Sequence, residues 1–119
     1  MNKKKVLIID DDATNRKLLK TILNLKGYEV LEAENGVQGL DMMDKDVGIV
    51  FLDLIMPLMD GIKFLETIKT EKQEFSNIPV IVLTTDDSKK MEALAAGAKE
   101  VIIKPINPSE IMEKVLNYL

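Results

Sequence analysis

The sequence predicts an α/β protein built on one doubly wound, five-stranded parallel sheet. Three observations carry that expectation. Apolar, β-branched runs alternate with segments of helical period along the whole 119 residues, the pattern that builds parallel βαβ units. Four runs, Val6-Leu7-Ile8-Ile9, Gly48-Ile49-Val50-Phe51-Leu52, Val80-Ile81-Val82-Leu83 and Val101-Ile102-Ile103, are continuous rather than alternating. Strands buried on both faces have that character. Each of the four ends on polar residues, Asp10-Asp11, Asp53, Thr84 and Lys104-Pro105 in turn. Parallel neighbours open those ends onto one sheet edge, so three carboxylates, a hydroxyl and an ammonium are expected to share a crevice.

The elements follow in order. After the first strand, a helix from about Ala13 to Lys26 places Leu18, Leu19, Ile22 and Leu23 on one face, and Gly27 stops it. Tyr28-Glu29-Val30-Leu31 is a short, half-exposed second strand. Asn35-Gly36 turns into a helix carrying Val37, Leu40 and Met43, and the third strand ends at Asp53. A loop with Pro57 and Asp60-Gly61 leads to a helix with Ile62, Leu65 and Ile68 inward. Residues 71–78 are a polar connection, and Pro79 opens the fourth strand, where a missing donor is tolerated. Asp86 to Ala96 is a small-residue helix closed by Gly97, and the fifth strand ends at Lys104. Pro108 starts the last helix, whose stripe is Ile111, Met112, Val115 and Leu116. Right-handed crossovers make a doubly wound sheet with helices on both faces the low-cost topology, here in the flavodoxin-like order 2-1-3-4-5. Its switch point, where such sheets bind ligands, lies between the first and third strands.

Length gives one domain, residues 1–119, without repeat, low-complexity tract or linker. The net charge of −4 argues against direct nucleic-acid binding, and Lys3-Lys4-Lys5 is expected only to solvate the N-terminal end. No apolar run is long enough to span a membrane, and only four apolar residues separate those lysines from Asp10, too few for a signal peptide. A cytoplasmic protein is the expectation. Cysteine and histidine are both absent. That removes disulfides, thiolate or imidazole metal ligands, and a histidine base.

Chemistry therefore falls to carboxylates, hydroxyls, lysines and a hard cation. Three convergent acids share protons or bind a cation, and oxygen-only ligands select Mg²⁺, with Mn²⁺ as a substitute. Asp11 and Asp53 are the expected direct ligands, with Asp10 one shell out. Helix capping is the competing explanation for this acidic run, and it suits Asp12 best. Lys104 is either a snorkelling surface cation or, facing three acids, a phosphate clamp. Thr84 is a plain strand end or a hydroxyl donor to a phosphoryl oxygen. Such a set cradles a phosphoryl group, with one carboxylate as nucleophile forming an acyl phosphate. Asp53, on a central strand, is the candidate.

The fragments Ile9-Asp10-Asp11, Phe51-Leu52-Asp53-Leu54-Ile55-Met56-Pro57, Met59-Asp60-Gly61, Leu83-Thr84-Thr85, Ala96-Gly97-Ala98 and Lys104-Pro105 occur in this order. In this the chain resembles the receiver domains of two-component response regulators, single-domain chemotaxis or phosphorelay types included, from about Lys4 to Leu119. The resemblance implies that Asp53 takes phosphate from a phosphohistidine on a sensor histidine kinase or phosphotransfer protein. It implies that Asp10, Asp11, Asp53 and the Ile55 carbonyl bind Mg²⁺, that Thr84 and Lys104 hold phosphoryl oxygens, and that Lys104-Pro105 is cis. It also implies an output face that includes Lys89, Lys90, Glu92, Lys99 and Glu100, a downstream protein target, and a monomer or weak phosphorylation-dependent dimer.

Departures from the family pattern carry expectations of their own. Val101 stands where an aromatic switch residue is usual, so no ring can swing inward there. Thr85 is bulkier than the usual small residue. Ile55 and Asp86 occupy positions that tune phosphoryl loss, and an apolar Ile55 should hinder an in-line water and lengthen the phosphoryl lifetime. The chain ends just after its last helix, as a stand-alone regulator or an excised receiver would. A haloacid-dehalogenase-type phosphatase would want an acid where Ile55 stands, together with a cap and a longer chain. A flavodoxin-like cofactor carrier would want a phosphate loop where Asp11 and Asp12 stand. A third rival is a phosphorylation-inactive docking receiver.

Overall fold

A computed structural model describes residues 4–119; Lys3 lies outside the described residues. Five parallel strands, β1 (Lys5–Ile9), β2 (Val30–Ala33), β3 (Val47–Asp53), β4 (Val80–Thr84) and β5 (Glu100–Ile103), form one sheet in the order β2-β1-β3-β4-β5. Four α-helices connect them, α1 (Ala13–Leu25), α2 (Gly36–Met42), α3 (Gly61–Glu71) and α4 (Lys90–Ala96), and α5 (Pro108–Tyr118) follows β5.

Strand alternation divides the core into two layers. Leu7, Ile9, Val50, Leu52 and Val82 face one way and pack with Phe64, Leu65 and Ile68 of α3. Val6, Ile8, Ile49, Phe51, Ile81 and Leu83 face the other way, onto Leu19 and Leu23 of α1 and Ile111 and Val115 of α5. Both faces of the sheet are covered, which is why its strands are continuously apolar. Asp12, Asn35, Asp60 and Asn107 cap α1, α2, α3 and α5 through their side chains, so each of these four helices starts with an orphan donor satisfied.

Several details differ from the sequence expectation. Leu18 is 51% and Leu116 70% exposed. Leu19/Leu23 and Ile111/Val115 point inward at i, i+4, and the neighbouring leucine is rotated by about 100° out of each stripe. Val37 is also exposed, because α2 turns its buried glycines, Gly36 and Gly39, toward the core. A Cβ on Gly39 would lie 2.5 Å from the Ile9 side chain; the helix approaches too closely for one. The second strand begins at Val30, not Tyr28. Gly27 is left-handed, and the Tyr28 N–H donates to the Leu23 carbonyl, closing α1 in a Schellman turn before the ladder starts. Finally, the Asp86–Ala96 segment is a 3₁₀ turn, Asp87–Lys89, followed by a shorter α4.

Candidate functional site

The crevice at the carboxyl edge is assembled from strand ends. Asp10 directly follows β1, Asp53 and Thr84 are the last residues of β3 and β4, and Lys104 follows β5. The ladder aligns them: Ile9 pairs with Leu52, Asp53 with Leu83 and Thr84 with Ile103. The Lys104 N–H donates to the Thr84 carbonyl at 2.8 Å, extending the ladder by one residue, and the Lys104-Pro105 bond is cis.

Lys104 Nζ lies 3.8 Å from Asp10 Oδ2 and 3.7 Å from Asp53 Oδ2, too far for a hydrogen bond to either. Carboxylate oxygens of Asp10, Asp11 and Asp53 converge within 4.8 Å of one another. Asp10 Oδ1 accepts from the Asp12 N–H at 2.9 Å. Its Oδ2 is buried and has no hydrogen-bond partner among the described residues. A buried carboxylate oxygen left that way costs free energy unless a cation or donor reaches it. The trio and this orphan atom fit a hard divalent cation.

Burial pushes the Asp53 carboxyl up to about 6; Lys104 pulls it down, and Asp10 pushes it up again. The Ile55 N–H lies 3.4 Å from Asp53 Oδ1. Thr84 is buried, and its Oγ1 accepts from the Asp86 N–H at 3.1 Å, which leaves the hydroxyl proton for another acceptor. Gly61 backs the site: a Cβ there would sit 2.8 Å from the Asp53 carbonyl oxygen and from Leu54 Cα.

Other predicted positions lie around this centre. Ile55 is 66% exposed at its mouth. Asp86 caps the 3₁₀ turn through Ser88, and Thr85 is exposed at the rim. Val101 is half-buried on β5 opposite Val82, against the α3-side core. Glu100 departs from a merely solvated charge. It accepts from the Tyr118 hydroxyl, and Lys114 Nζ lies 2.6 Å away. Sequence inspection passed over Arg16, which bonds the Asp10 carbonyl, and Glu32, which pairs with Arg16.

A family model for the response regulator receiver domain matches residues 6–116. A chemotaxis protein CheY homolog of Campylobacter jejuni is 36% identical over 97% of this chain and 92% of its own length. A probable transcriptional regulator, ycf27, of Porphyridium aerugineum is 35% identical over the whole chain, which spans only 49% of that relative. Among solved structures, Vibrio cholerae CheY4 superposes with a TM-score of 0.88 at 30% identity, covering 98% of this chain and 99% of that one. The flavodoxin-like sheet and the acidic edge thus define a receiver fold. The chain belongs to the response regulator receiver domain family. Members are phosphorylation-controlled switches of two-component signalling, and neither the phosphatase nor the docking-only alternative is favoured. No helix of the described residues is long and apolar enough to cross a membrane.

Proposed function

We propose that residues 1–119 form one receiver unit in which Asp53 is the phosphoacceptor. The observation that carries this is the under-satisfied crevice, where Lys104 stands between Asp10 and Asp53 without bonding either, beside an orphan carboxylate oxygen. An Oδ of ionised Asp53 attacks phosphorus, the P–N bond of a phosphohistidine breaks, and the leaving imidazole keeps that electron pair. The product is an acyl phosphate. With its carboxyl at about 6, Asp53 is mostly ionised at pH 7. Lys104 follows the incoming charge, and the free Thr84 proton donates to a phosphoryl oxygen. Asp10, Asp11, Asp53 and the Ile55 carbonyl would hold Mg²⁺, with Mn²⁺ as a substitute. When bound, the ion neutralises charge on the transferring group.

Since the chain contains no histidine, the donor acts in trans: a sensor histidine kinase, a phosphotransfer protein or a small acyl phosphate. Further parts of the proposal are a cytoplasmic location, a downstream protein target, and a monomer or weak phosphorylation-dependent dimer. Intact mass after incubation with Mg²⁺ and acetyl phosphate tests the reading. One labile phosphoryl adduct is expected, absent in Asp53→Asn and with EDTA. An adduct that survives Asp53→Asn, or none with any donor, contradicts it. The exposed Ile55 side chain at the mouth supports slow hydrolysis. Ile55→Glu is expected to shorten the adduct's lifetime, and an unchanged, rapid decay would rule out that role.

A further inference from the structure

The sequence contains fifteen lysines and one arginine, Arg16. That arginine is not on the surface. It sits in the first turn of α1 with its side chain 11% exposed, its Nε 3.4 Å from Glu32 Oε1 on β2. Its Nη1 donates to the backbone carbonyl of Asp10 at 2.6 Å. The other oxygen of Glu32 is held by Lys20 at 3.2 Å. From these contacts we infer that Arg16 is a positioning residue for the cation site, clamping the Asp10 peptide against β2 so that the acidic loop presents its carboxylates. The inference rests on the proposed role of Asp10, Asp11 and Asp53 as cation ligands.

Three hydrogen bonds fix Asp10 once β1 has ended. Its N–H donates to the Ala33 carbonyl of β2 at 3.1 Å. Its carbonyl has left the ladder and would be a buried, unpaired acceptor but for Arg16. Its Oδ1 is taken by the Asp12 N–H. Every polar atom of Asp10 except Oδ2 is thereby held, and Oδ2 faces the crevice. The peptide plane joining Asp10 to Asp11 is fixed by the same bond, which sets the direction in which Asp11 leaves. A lysine supplies one point donor and cannot meet the Asp10 carbonyl and Glu32 with the geometry of a planar fork. Elsewhere the chain uses lysine; here two donors at a fixed angle are required.

Positioning and bare electrostatics predict opposite outcomes, which makes the inference testable. A guanidinium near a cation site repels the cation, so removing its charge should tighten binding if charge alone mattered. Mn²⁺ binding is measured on the full chain from the paramagnetic resonance signal of free Mn²⁺, with melting in EDTA recorded for each variant. Arg16→Gln and Arg16→Lys are each expected to weaken Mn²⁺ about 10–100-fold, as lost supports of metal ligands do. Glu32→Gln keeps an acceptor for Nε and should stay within about fivefold of the parent, the scale of a modest ion pair. Arg16→Lys preserves charge and most of the packing, so it decides the matter if Arg16→Gln fails to fold. Tighter binding in Arg16→Gln, or unchanged binding in Arg16→Lys, overturns the inference while leaving the cation site in place. A parent protein that binds no Mn²⁺, or whose binding survives Asp11→Asn with Asp53→Asn, overturns the site assignment and this inference with it.

Discussion

Lys104 and Lys114 are lysines of similar burial, 16% and 14% exposed at the side chain, and each faces carboxylates. At Lys114 the pairing is complete. Its Nζ lies 2.6 Å from Glu100, and the Tyr118 hydroxyl donates to the same carboxylate. These bonds hold the Glu100 carboxyl below its usual range and fasten α5 to the start of β5. At Lys104 the pairing is unfinished: the separations are 3.7 and 3.8 Å, Asp10 Oδ2 has no hydrogen-bond partner among the described residues, and the Asp53 carboxyl is pushed up by burial. The same residue types thus make a fastening in one place and a receptive site in the other. Ion pairs that satisfy their own hydrogen bonds have little left to offer a ligand, whereas a crowded, under-bonded set is stabilised when one arrives.

The largest expected effect comes from disturbing the backbone behind the unfinished cluster. Gly61→Ala places a methyl 2.8 Å from the Asp53 carbonyl oxygen and Leu54 Cα. Overpacking against main chain should cost about 1–3 kcal/mol in a denaturant melt and displace Asp53. A Gly61→Ala protein that melts like the parent and accepts phosphate normally would show that the crevice tolerates misplacement.

A smaller effect, of opposite sign, is expected from Asp53→Asn in EDTA. The folded carboxyl lies near 6 against 3.8 for the free group, so the native state binds more protons between those values. Stability falls as pH rises through that window, and the full cost is present above 6. Asp53→Asn should therefore be more stable at pH 7 by about 1 kcal/mol, once discounted for solvent screening. The gain should shrink through the window and vanish below 3.8.

The smallest effect lies at the finished cluster. Glu100 has a lowered folded value, so its contribution is present above the ordinary 4.5 and is lost as pH falls through that lowered value. Glu100→Gln should cost about 0.5 kcal/mol at pH 7 and nothing in strong acid. Melting curves of the two variants between pH 3 and 8 should thus diverge in opposite directions from the parent, and slopes of one sign would break the comparison.

What could be known beforehand divides along physical lines. The strands were legible because apolar runs and turn residues are local signals, and their order because it is a common one for doubly wound sheets. The convergence of Asp10, Asp53, Thr84 and Lys104 followed once the strands were taken as parallel. Leu18 and Leu116 were placed wrongly because an adjacent leucine at i+1 or i−1 of a buried pair falls within a loose helical stripe. Tyr28 was lost to the strand because a Schellman closure consumed its N–H. The Arg16–Glu32 and Glu100–Lys114–Tyr118 contacts span elements far apart in the chain. Nothing local marks such pairs, although a sole arginine among fifteen lysines was a compositional signal available to inspection.

The central claim is that Asp53 carries the phosphoryl group. Borohydride reduction of the acetyl-phosphate-treated protein converts an aspartyl phosphate to homoserine, which peptide mass mapping locates. Homoserine is expected at position 53 alone, dependent on Mg²⁺. Homoserine at Asp10 or Asp11, or an adduct that resists borohydride, would contradict it.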